Sequence, residues 1–354
     1  MIFLHKRYIK AFSVMIAVLL SIASTGCGSS SLQKAAPYDG KEYLEISELT
    51  SDGENPEEAA SALEPIQNYD TELSVPTYVT KVDDTWFIVD CYHNRVIYSD
   101  EMGAPLNQWH IMCSEATQPH TMASDGSIYM IEDTENNRVL VYEKIQDKFI
   151  NTQAIYEIGT RPHFTAYDET SDTFYVWSSV TGELYCFRHT EESSRVYLTE
   201  IKKIDELAGL YVRSFTIKDG DIYFVSGVSS DGVPGQILKC DLKTLKVKKR
   251  YPVPDEIAGM VQITPIDNMF YVTVSTDLYG NQDYATIIRA KSLDDLSKGN
   301  YEDIYSDYFI GGGTPYNISQ VNDTYFLTEH RLKGHSIWSF QVQDGEVENV
   351  TSIY

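Results

Sequence analysis

The chain has 354 residues and a formal net charge of −24 at pH 7, from 28 lysines and arginines against 52 aspartates and glutamates. A chain this acidic does not bind nucleic acid or anionic lipid through its own charge. With 42% hydrophobic residues, 23% charged residues and 26 tyrosines, its composition is that of a folded protein rich in half-buried strands. The length suits one large all-β domain or two ordinary domains.

The first 26 residues have the pattern of an export signal. A positive region around Arg7 precedes an apolar run over residues 11–22, which is too short and ends too abruptly for a membrane-spanning helix. The Ser-Thr-Gly-Cys sequence ending at Cys27 resembles the bacterial lipobox, with serine where that motif usually has leucine. The pattern predicts a signal peptide over residues 1–26, lipidation and membrane anchoring at Cys27, and a folded part on the extracytoplasmic face. An uncleaved N-terminal anchor and an ordinary secretory peptide are the alternatives.

Residues 27–73 are predicted to be a lipidated N-terminus followed by a flexible acidic tether. The segment begins Gly-Ser-Ser-Ser after the cysteine, and residues 51–62 are acidic and rich in small side chains. Such a segment cannot bury enough apolar surface to order itself. Residues 42–49 alternate enough for one short strand, which is expected to stay loose or to add to a sheet edge beside residues 346–353.

From about residue 74 a pattern recurs six times, each copy having a polar turn, an alternating apolar run and an aromatic residue at the same place. The intervals between these aromatic residues are 43, 46, 48, 48 and 54 residues. Six four-stranded meanders at this period predict an all-β fold, a six-bladed β-propeller of four-stranded antiparallel blades over residues 74–354. A single meander cannot bury its own faces, so we expect the aromatic residue to lie on each second strand and to fill the space to the neighbouring blade. The six positions are Trp86, Tyr129, Tyr175, Tyr223, Tyr271 and Tyr325.

The first two copies resemble NHL repeats, whose repeat has an aspartate after the second strand, a turn ending in Asn-Arg or His-Arg, and an alternating third strand. The resemblance implies a six-bladed propeller, and the later copies keep the strand rhythm without the Asn-Arg turn. We expect the aspartate to accept backbone N–H bonds in the turn and the arginine to reach a neighbouring carboxylate or carbonyl. The matching residues are Asp90, Asn94 and Arg95 in the first copy and Asp133, Asn137 and Arg138 in the second.

Four cysteines follow Cys27, and none forms a CxxC pair, which excludes zinc-ribbon and CxxC redox motifs. Two of them lie in strand-like runs, where a buried free thiol is favoured. Disulfide bonds among these cysteines are an alternative, and the sequence does not indicate which cysteines would pair. The four are Cys91, Cys113, Cys186 and Cys240.

In a propeller the first strand of each blade lines the central channel, and its leading residues surround the axis at one mouth. Two neighbouring copies carry Pro-His there, so His120 and His163 are expected to lie side by side. Neutral imidazole suits both metal binding and proton transfer near pH 7. The candidate ligand-binding residues of this axial mouth are Thr77, His120, His163, Arg213, Ser214, Gln262 and Tyr316.

Three roles are open for the histidine pair: polar contacts to a ligand, structural hydrogen bonds, or metal ligation and catalysis. Some NHL-type enzymes, the peptide-amidating lyases, hold a metal with axial histidines, but only His120 and His163 occupy such positions in this chain. Arg213 is expected to pair with an anionic group of a ligand or with an acidic loop residue. His330 flanks a turn and is expected to be exposed. The sequence contains no GxSxG or HExxH motif.

These patterns predict an extracytoplasmic, membrane-anchored, non-catalytic propeller that binds a small molecule, glycan, peptide or protein partner at the axial mouth. No resident cofactor and no nucleic-acid partner are expected. One alternative is a metal-dependent lyase or hydrolase in which His120 and His163 are the metal ligands. The other is a scaffold in an envelope protein complex, which predicts an apolar or aromatic patch on one face of the disc.

Overall fold

The computed structural model describes residues 32–45, 50–53, 55–227 and 233–354. The predicted signal peptide and Cys27 lie outside these ranges, as do residues 46–49 of the expected short strand. None of the helices within the described ranges has the length and hydrophobicity of a membrane span.

The chain after residue 75 forms six separate antiparallel sheets, the blades, numbered here in chain order. In each blade the four strands follow one another in sequence. Blade 1 contains β3 (Pro76–Val82), β4 (Thr85–Asp90), β5 (Arg95–Ser99) and β6 (His110–Cys113). Blade 2 contains β7 (Met122–Ser124), β8 (Ile128–Asp133), β9 (Arg138–Ile145) and β10 (Lys148–Ile155). Blade 3 contains β11 (Pro162–Asp168), β12 (Thr173–Ser178), β13 (Glu183–Thr190) and β14 (Ser193–Lys203).

Blades 4 to 6 repeat this arrangement with longer connections between the second and third strands. Blade 4 contains β15 (Val212–Lys218), β16 (Asp221–Ser226), β17 (Gln236–Asp241) and β18 (Val247–Pro252). Blade 5 contains β19 (Gly259–Ile266), β20 (Met269–Thr276), β21 (Thr286–Ala290) and β22 (Glu302–Asp303). Blade 6 contains β23 (Thr314–Val321), β24 (Thr324–His330), β25 (Ile337–Gln343) and β26 (Glu346–Ser352). Short helices α2 (Leu293–Leu296) and α3 (Tyr305–Tyr308) flank β22.

The first strands of the blades surround one axis. β7 packs on β11, β11 on β15, β15 on β19 and β19 on β23, and β23 packs on β3 so that the ring closes. The predicted six-bladed propeller of four-stranded blades is therefore confirmed, and the leading residues of the first strands meet at one mouth.

The repeated aromatic residue lies on the second strand of every blade, as predicted. Five of the six side chains are at most 8% exposed. Tyr129 of blade 2 packs against Phe87 of blade 1, with ring centroids 5.5 Å apart. Trp86 is only half-buried and meets Phe326 of blade 6 at 5.2 Å, across the seam where the ring closes. Burying a large apolar side chain stabilises a fold by roughly 1.5–3 kcal/mol, so these contacts join neighbouring blades.

The NHL-like turns have the local role predicted for them. Asp133 accepts a hydrogen bond from the backbone N–H of Thr117 at 2.7 Å, and Nε of Arg138 donates to Asp133 at 2.6 Å. Asn137 has the left-handed φ of 52°, which asparagine tolerates better than most residues, and its side chain accepts from the N–H of Arg161 at 2.8 Å. The same contacts recur in blade 1. Each turn thus fixes the start of the following blade.

The segment predicted as a flexible tether differs from that expectation in its described parts. β1 (Thr50–Asp52) pairs with the outer strand of blade 2, and β2 (Ile66–Gln67) pairs with the outer strand of blade 1. Between them, α1 (Pro56–Ala62) packs on blade 2, with Asn55 accepting from the N–H of Glu57 as its N-cap. The segment's own apolar side chains do not supply this order. The order comes instead from backbone hydrogen bonds to the open edges of the blades.

Within the described residues, no strand of the N-terminal segment joins blade 6, and the ring closes without one. β26 is the outer strand of that blade, and residues 42–45, the described part of the expected short strand, do not pair beside it. The last residue, Tyr354, then reaches blade 1, where its hydroxyl donates to the carbonyl of Ala104 at 2.6 Å. The same hydroxyl accepts from Trp109 Nε1 at 3.1 Å and from the N–H of Gly103 at 3.0 Å. One hydroxyl therefore holds three groups across the closing seam.

Removing this hydroxyl tests the seam. Tyr354→Phe keeps the ring but deletes all three hydrogen bonds, so we expect the free energy of unfolding to fall by about 1–3 kcal/mol. Urea denaturation followed by tryptophan fluorescence measures the change. Tyr69→Phe, at a side chain that is 84% exposed, is the matched control and should be neutral. Equal stabilities of Tyr354→Phe and wild type would show that the hydroxyl does not hold the seam.

Candidate functional site

The two Pro-His sequences, at equivalent positions of adjacent blades, bring His120 and His163 into contact. The ring centroids are 3.7 Å apart and the planes are inclined by 26°. Each proline is preceded by a residue with positive φ, Gln118 at 54° and Arg161 at 57°. The backbone N–H of each of these residues is held by the asparagine of the preceding NHL-like turn. The turns therefore compensate a strained backbone and so position the stacked imidazoles.

The hydrogen bonds of His163 define its tautomer. Nδ1 lies 2.9 Å from the carbonyl oxygen of Arg213, which can only accept, so Nδ1 carries the proton. Nε2 then accepts from the hydroxyl of Tyr211 at 2.9 Å. Burial lowers the pKa of His163 to about 3, with the positive charge of Arg213 adding to the effect. The ring is neutral at physiological pH, and both of its nitrogens are satisfied.

His120 is held in the same way. The hydroxyl of Thr134 donates its only proton to the carbonyl of Pro162 at 2.7 Å, so it must accept from Nδ1 of His120, 3.0 Å away. Nε2 of His120 faces the thiol of Cys91 at 3.7 Å. Burial holds the pKa of His120 well below its ordinary value, and the neighbouring His163 lowers it further.

Both Nε2 lone pairs are directed at protein donors, Tyr211 and Cys91. Within the described ranges no three His, Cys, Asp or Glu side chains lie close enough together to hold a metal ion. Burial raises the pKa of the Cys91 thiol far above its ordinary value, so the thiol stays protonated. The geometry of the pair is that of hydrogen-bonded structural histidines, one of the three roles left open by the sequence. All four cysteines after Cys27 are buried and free.

A buried carboxyl group beside the histidines was missed by the sequence analysis. Glu132 on β8 is fully buried and accepts from the backbone N–H groups of His120, at 2.7 Å, and Thr121. The hydroxyls of Thr121 and Thr165 donate to its other oxygen at 3.0 and 2.8 Å. Burial raises the pKa of Glu132 to about 7. The available signal was a glutamate inside an otherwise apolar second strand.

Three of the predicted mouth residues are occupied in structural contacts. Thr77 is fully buried and donates to a carbonyl of its own blade. Ser214 donates to the carbonyl of Val261 at 2.7 Å, and the side chain of Gln262 accepts from the N–H of Ile318 at 2.7 Å. Ser214 and Gln262 therefore tie adjacent first strands together around the axis.

The other two predicted residues, Arg213 and Tyr316, have groups left over for a ligand. Tyr316 lies 6.2 Å from the His120 ring, and its hydroxyl makes no hydrogen bond within the described part of the chain. Arg213 donates to the hydroxyl of Ser275 at 2.8 Å and lies 5.4 Å from the ring of Tyr211. No carboxylate of the described residues pairs with Arg213, so the expected bridge to an acidic loop residue is not formed there. His330, expected to be exposed, is instead half-buried with its ring 6.4 Å from Tyr316.

Exposed apolar side chains lie on connections that begin or end at the mouth side of the disc. These are the connections between second and third strands and the connections leading into a first strand. Their side chains are between 48% and 86% exposed. They are Tyr69, Tyr92, Tyr279, Tyr284 and Ile310.

A cleft of about 870 Å³ lies away from the mouth, beneath the N-terminal segment, where the first strands of blades 1 to 3 end. Many of its charged groups are paired with one another. Lys34 pairs with Glu169, and His189 lies 2.5 Å from Asp125, whose hydrogen bond raises the pKa of that histidine. Because its lysines and its histidine are paired with carboxylates, this cleft offers fewer free cationic groups than the mouth around Arg213.

No family model and no curated protein matches the chain. Among solved structures, it resembles the hydrazine synthase of Kuenenia stuttgartiensis, with a TM-score of 0.50 and 16% identity over 77% of this chain and 78% of that one. It also resembles candidate 6-phosphogluconolactonases from Bacteroides uniformis, with a TM-score of 0.55 and 11% identity over 79% and 85% of the two chains, and from Bacteroides fragilis, with 0.54 and 13% over 80% and 84%. At these identities the likeness shows the propeller fold alone.

Glu132 gives the site a measurable pH dependence. Its pKa in the folded protein, about 7, lies above the ordinary value of 4.5, so the folded state keeps a proton that the unfolded state loses between these pH values. Folding stability should therefore fall as pH rises from about 4.5 to about 7, by up to about 1.4 kcal/mol per pH unit, and then level off.

Glu132→Gln removes this titration, so the difference in unfolding free energy between variant and wild type should change across that pH window. Urea denaturation at intervals of half a pH unit measures it, with Glu348→Gln at an exposed position as control. A constant difference from pH 4 to pH 8 would show that Glu132 does not titrate in the predicted range.

Proposed function

We propose that this protein is an extracytoplasmic lipoprotein, anchored through Cys27, whose NHL-like propeller binds a small molecule at the axial mouth without catalysing a reaction. The observation that carries the binding function is the set of unused donors on Arg213 and Tyr316 beside a rigid pair of imidazoles. Their positions are preorganised by the surrounding blades, which lowers the ordering cost of binding. The export signal and lipobox pattern support the cellular location.

The histidine pair supports binding over catalysis. A general acid or base works best when its pKa is near the operating pH. Burial instead keeps the pKa values of His120 and His163 well below the ordinary value of a histidine. Their Nε2 atoms are engaged by Tyr211 and by the protonated thiol of Cys91. The pair is largely buried and therefore serves as a rigid, neutral wall of the mouth, which fixes the backbone of Arg213.

A ligand screen tests the mouth as the binding site. Wild-type protein is incubated with culture metabolites and cell-wall fragments, and bound molecules are identified by native mass spectrometry. For a molecule so found, the double variant Arg213→Met, Tyr316→Phe should weaken binding by about tenfold or more, since charged hydrogen bonds contribute roughly 1.5–3 kcal/mol. These two residues are chosen because their free groups have no structural task. His120→Gln, His163→Gln then tests the imidazole wall.

The matched control is Arg195→Met, Tyr43→Phe. Arg195 pairs with Asp52 on the outer rim, and Tyr43 is 48% exposed and packs against Tyr197 on the outer strand of blade 3. This control should bind the ligand as wild type does. Full affinity of the Arg213→Met, Tyr316→Phe variant for the ligand would show that the binding site lies outside the mouth.

The lipid anchor is tested at Cys27. Cys27→Ser should move the protein from the membrane fraction to the soluble fraction, because acyl chains attached at this cysteine supply the membrane affinity, about 0.8 kcal/mol per buried methylene. Ser24→Leu, which restores the usual lipobox residue, is the matched control and should stay in the membrane fraction. Membrane retention of Cys27→Ser would indicate an uncleaved N-terminal anchor instead. Mass spectrometry of the N-terminal peptide distinguishes the two.

A further inference from the structure

Two arginines at the mouth lack a counter-ion. Among the described residues, Arg213 and Arg331 form no ion pair with a carboxylate, whereas each of the seven other arginines does. The chain has 52 acidic residues and 28 basic ones, so carboxylates are abundant. Two uncompensated guanidinium groups in one region of such a protein therefore call for a physical explanation.

Both guanidinium groups are held by the end of β20 and the connection that follows it. Nη1 of Arg213 donates to the hydroxyl of Ser275 at 2.8 Å. Nη1 of Arg331 donates to the carbonyl of Gln282 at 3.2 Å and to the hydroxyl of Thr314 at 3.1 Å. These acceptors are neutral, so they orient the guanidinium groups without cancelling their charge. Each arginine has five N–H donors, and most of them stay unused.

The two arginines flank His330. Burial, reinforced by the positive charges of Arg331 and Arg213, lowers the pKa of His330 to about 4. Its Nδ1 atom is buried and has no hydrogen-bond partner in the part of the chain that the structure describes. The ring lies 6.4 Å from that of Tyr316, whose hydroxyl is likewise unpartnered there. A buried polar atom without a partner costs about 1–3 kcal/mol, which a ligand can recover by pairing with it.

Space for a ligand lies next to these groups. His330 and Arg331 line a cavity of about 490 Å³ between blades 6 and 1, at the seam where the ring closes. The remaining lining includes Ser74, Glu72 and Lys333, and the carboxylate of Glu72 is paired with the ammonium group of Lys333 at 3.4 Å. This volume is in the range of small-molecule pockets. The groups facing it from blade 6 are donors, which suits an acceptor-rich ligand.

We propose that the mouth binds the oxyanion of a small molecule, a carboxylate or phosphate group, between Arg213 and Arg331, with the body of the molecule in the seam cavity. His330, as the neutral Nδ1–H tautomer, and the hydroxyl of Tyr316 donate further hydrogen bonds to the oxyanion. Planar guanidinium groups match the geometry of both anions. The inference rests on the proposed binding function of the mouth and specifies its ligand class. The negative net charge of the protein disfavours the binding of anions to the rest of its surface. Specific binding of an anion would therefore indicate binding at this site.

The experiment uses simple probes: succinate and inorganic phosphate as anions, methylammonium as a cation and glucose as a neutral molecule. Binding to the whole protein is followed by calorimetry and by the ring signals of His330 in NMR spectra, assigned with His330→Gln. We expect succinate or phosphate to shift these signals and the other two probes to leave them unchanged. Whichever anion binds more tightly identifies the carboxylate or phosphate class.

Arg213→Met and Arg331→Met should each weaken the anion by about tenfold or more. Arg195→Met, on the outer rim, is the control and should not change it. Arg331→Lys keeps the positive charge and should bind more tightly than Arg331→Met. Because Lys replaces Arg more conservatively, it also provides a readout if the methionine variant loses its fold, which circular dichroism reports.

Several outcomes would overturn the inference. Equal weakening in Arg195→Met would indicate general electrostatics, and unchanged affinity in both mouth variants would indicate an adventitious ion only. Binding of glucose or methylammonium at His330 without binding of either anion would reject the ligand class and leave the mouth as a binding site. No shift with any probe would reject the anion site as well. The binding function itself is judged separately, by the ligand screen with Arg213→Met, Tyr316→Phe.

Discussion

The structure depends on one constraint: no blade can bury both of its own faces. Each four-stranded sheet becomes stable only when its neighbours cover it, and the aromatic residues of the second strands supply much of that contact. A circle of six blades meets this requirement with no exposed end face. The first and last blades are joined where Trp86 meets Phe326 and Tyr354 bonds to blade 1.

The same closure determines the chemistry of the axis. Polar side chains on the first strands become buried, so they need partners, and the nearest partners belong to the adjacent blade. Ser214 and Gln262 meet this need with backbone groups of the next blade. The unused donors, on Arg213 and Arg331, remain on the side of blades 4 to 6. The mouth is therefore asymmetric, with a satisfied network on one side and free donors on the other.

The N-terminal segment uses another property of a propeller, the open outer edge of each blade. Unpaired strand edges promote association with other chains, and proteins commonly cover them. Here β1 and β2 extend the outer edges of blades 2 and 1, and the backbone N–H of Leu44 donates to the carbonyl of Leu198 on the outer strand of blade 3 at 2.8 Å. A segment of low hydrophobicity thereby gains order from backbone pairing and protects three consecutive blades.

The sequence by itself determined the period, hence the number of blades, the second-strand positions such as Tyr129, and the NHL-like turns around Asp133 and Arg138. All of these follow from local patterns of polarity within one repeat. Only the tertiary structure decided which polar residues of the mouth are free. His163 is satisfied by Arg213, a residue 50 positions away, and the burial of Glu132 and His330 depends on neighbouring blades. A hydrogen bond or a pKa depends on atoms brought together by ring closure, and no repeat contains those atoms alone.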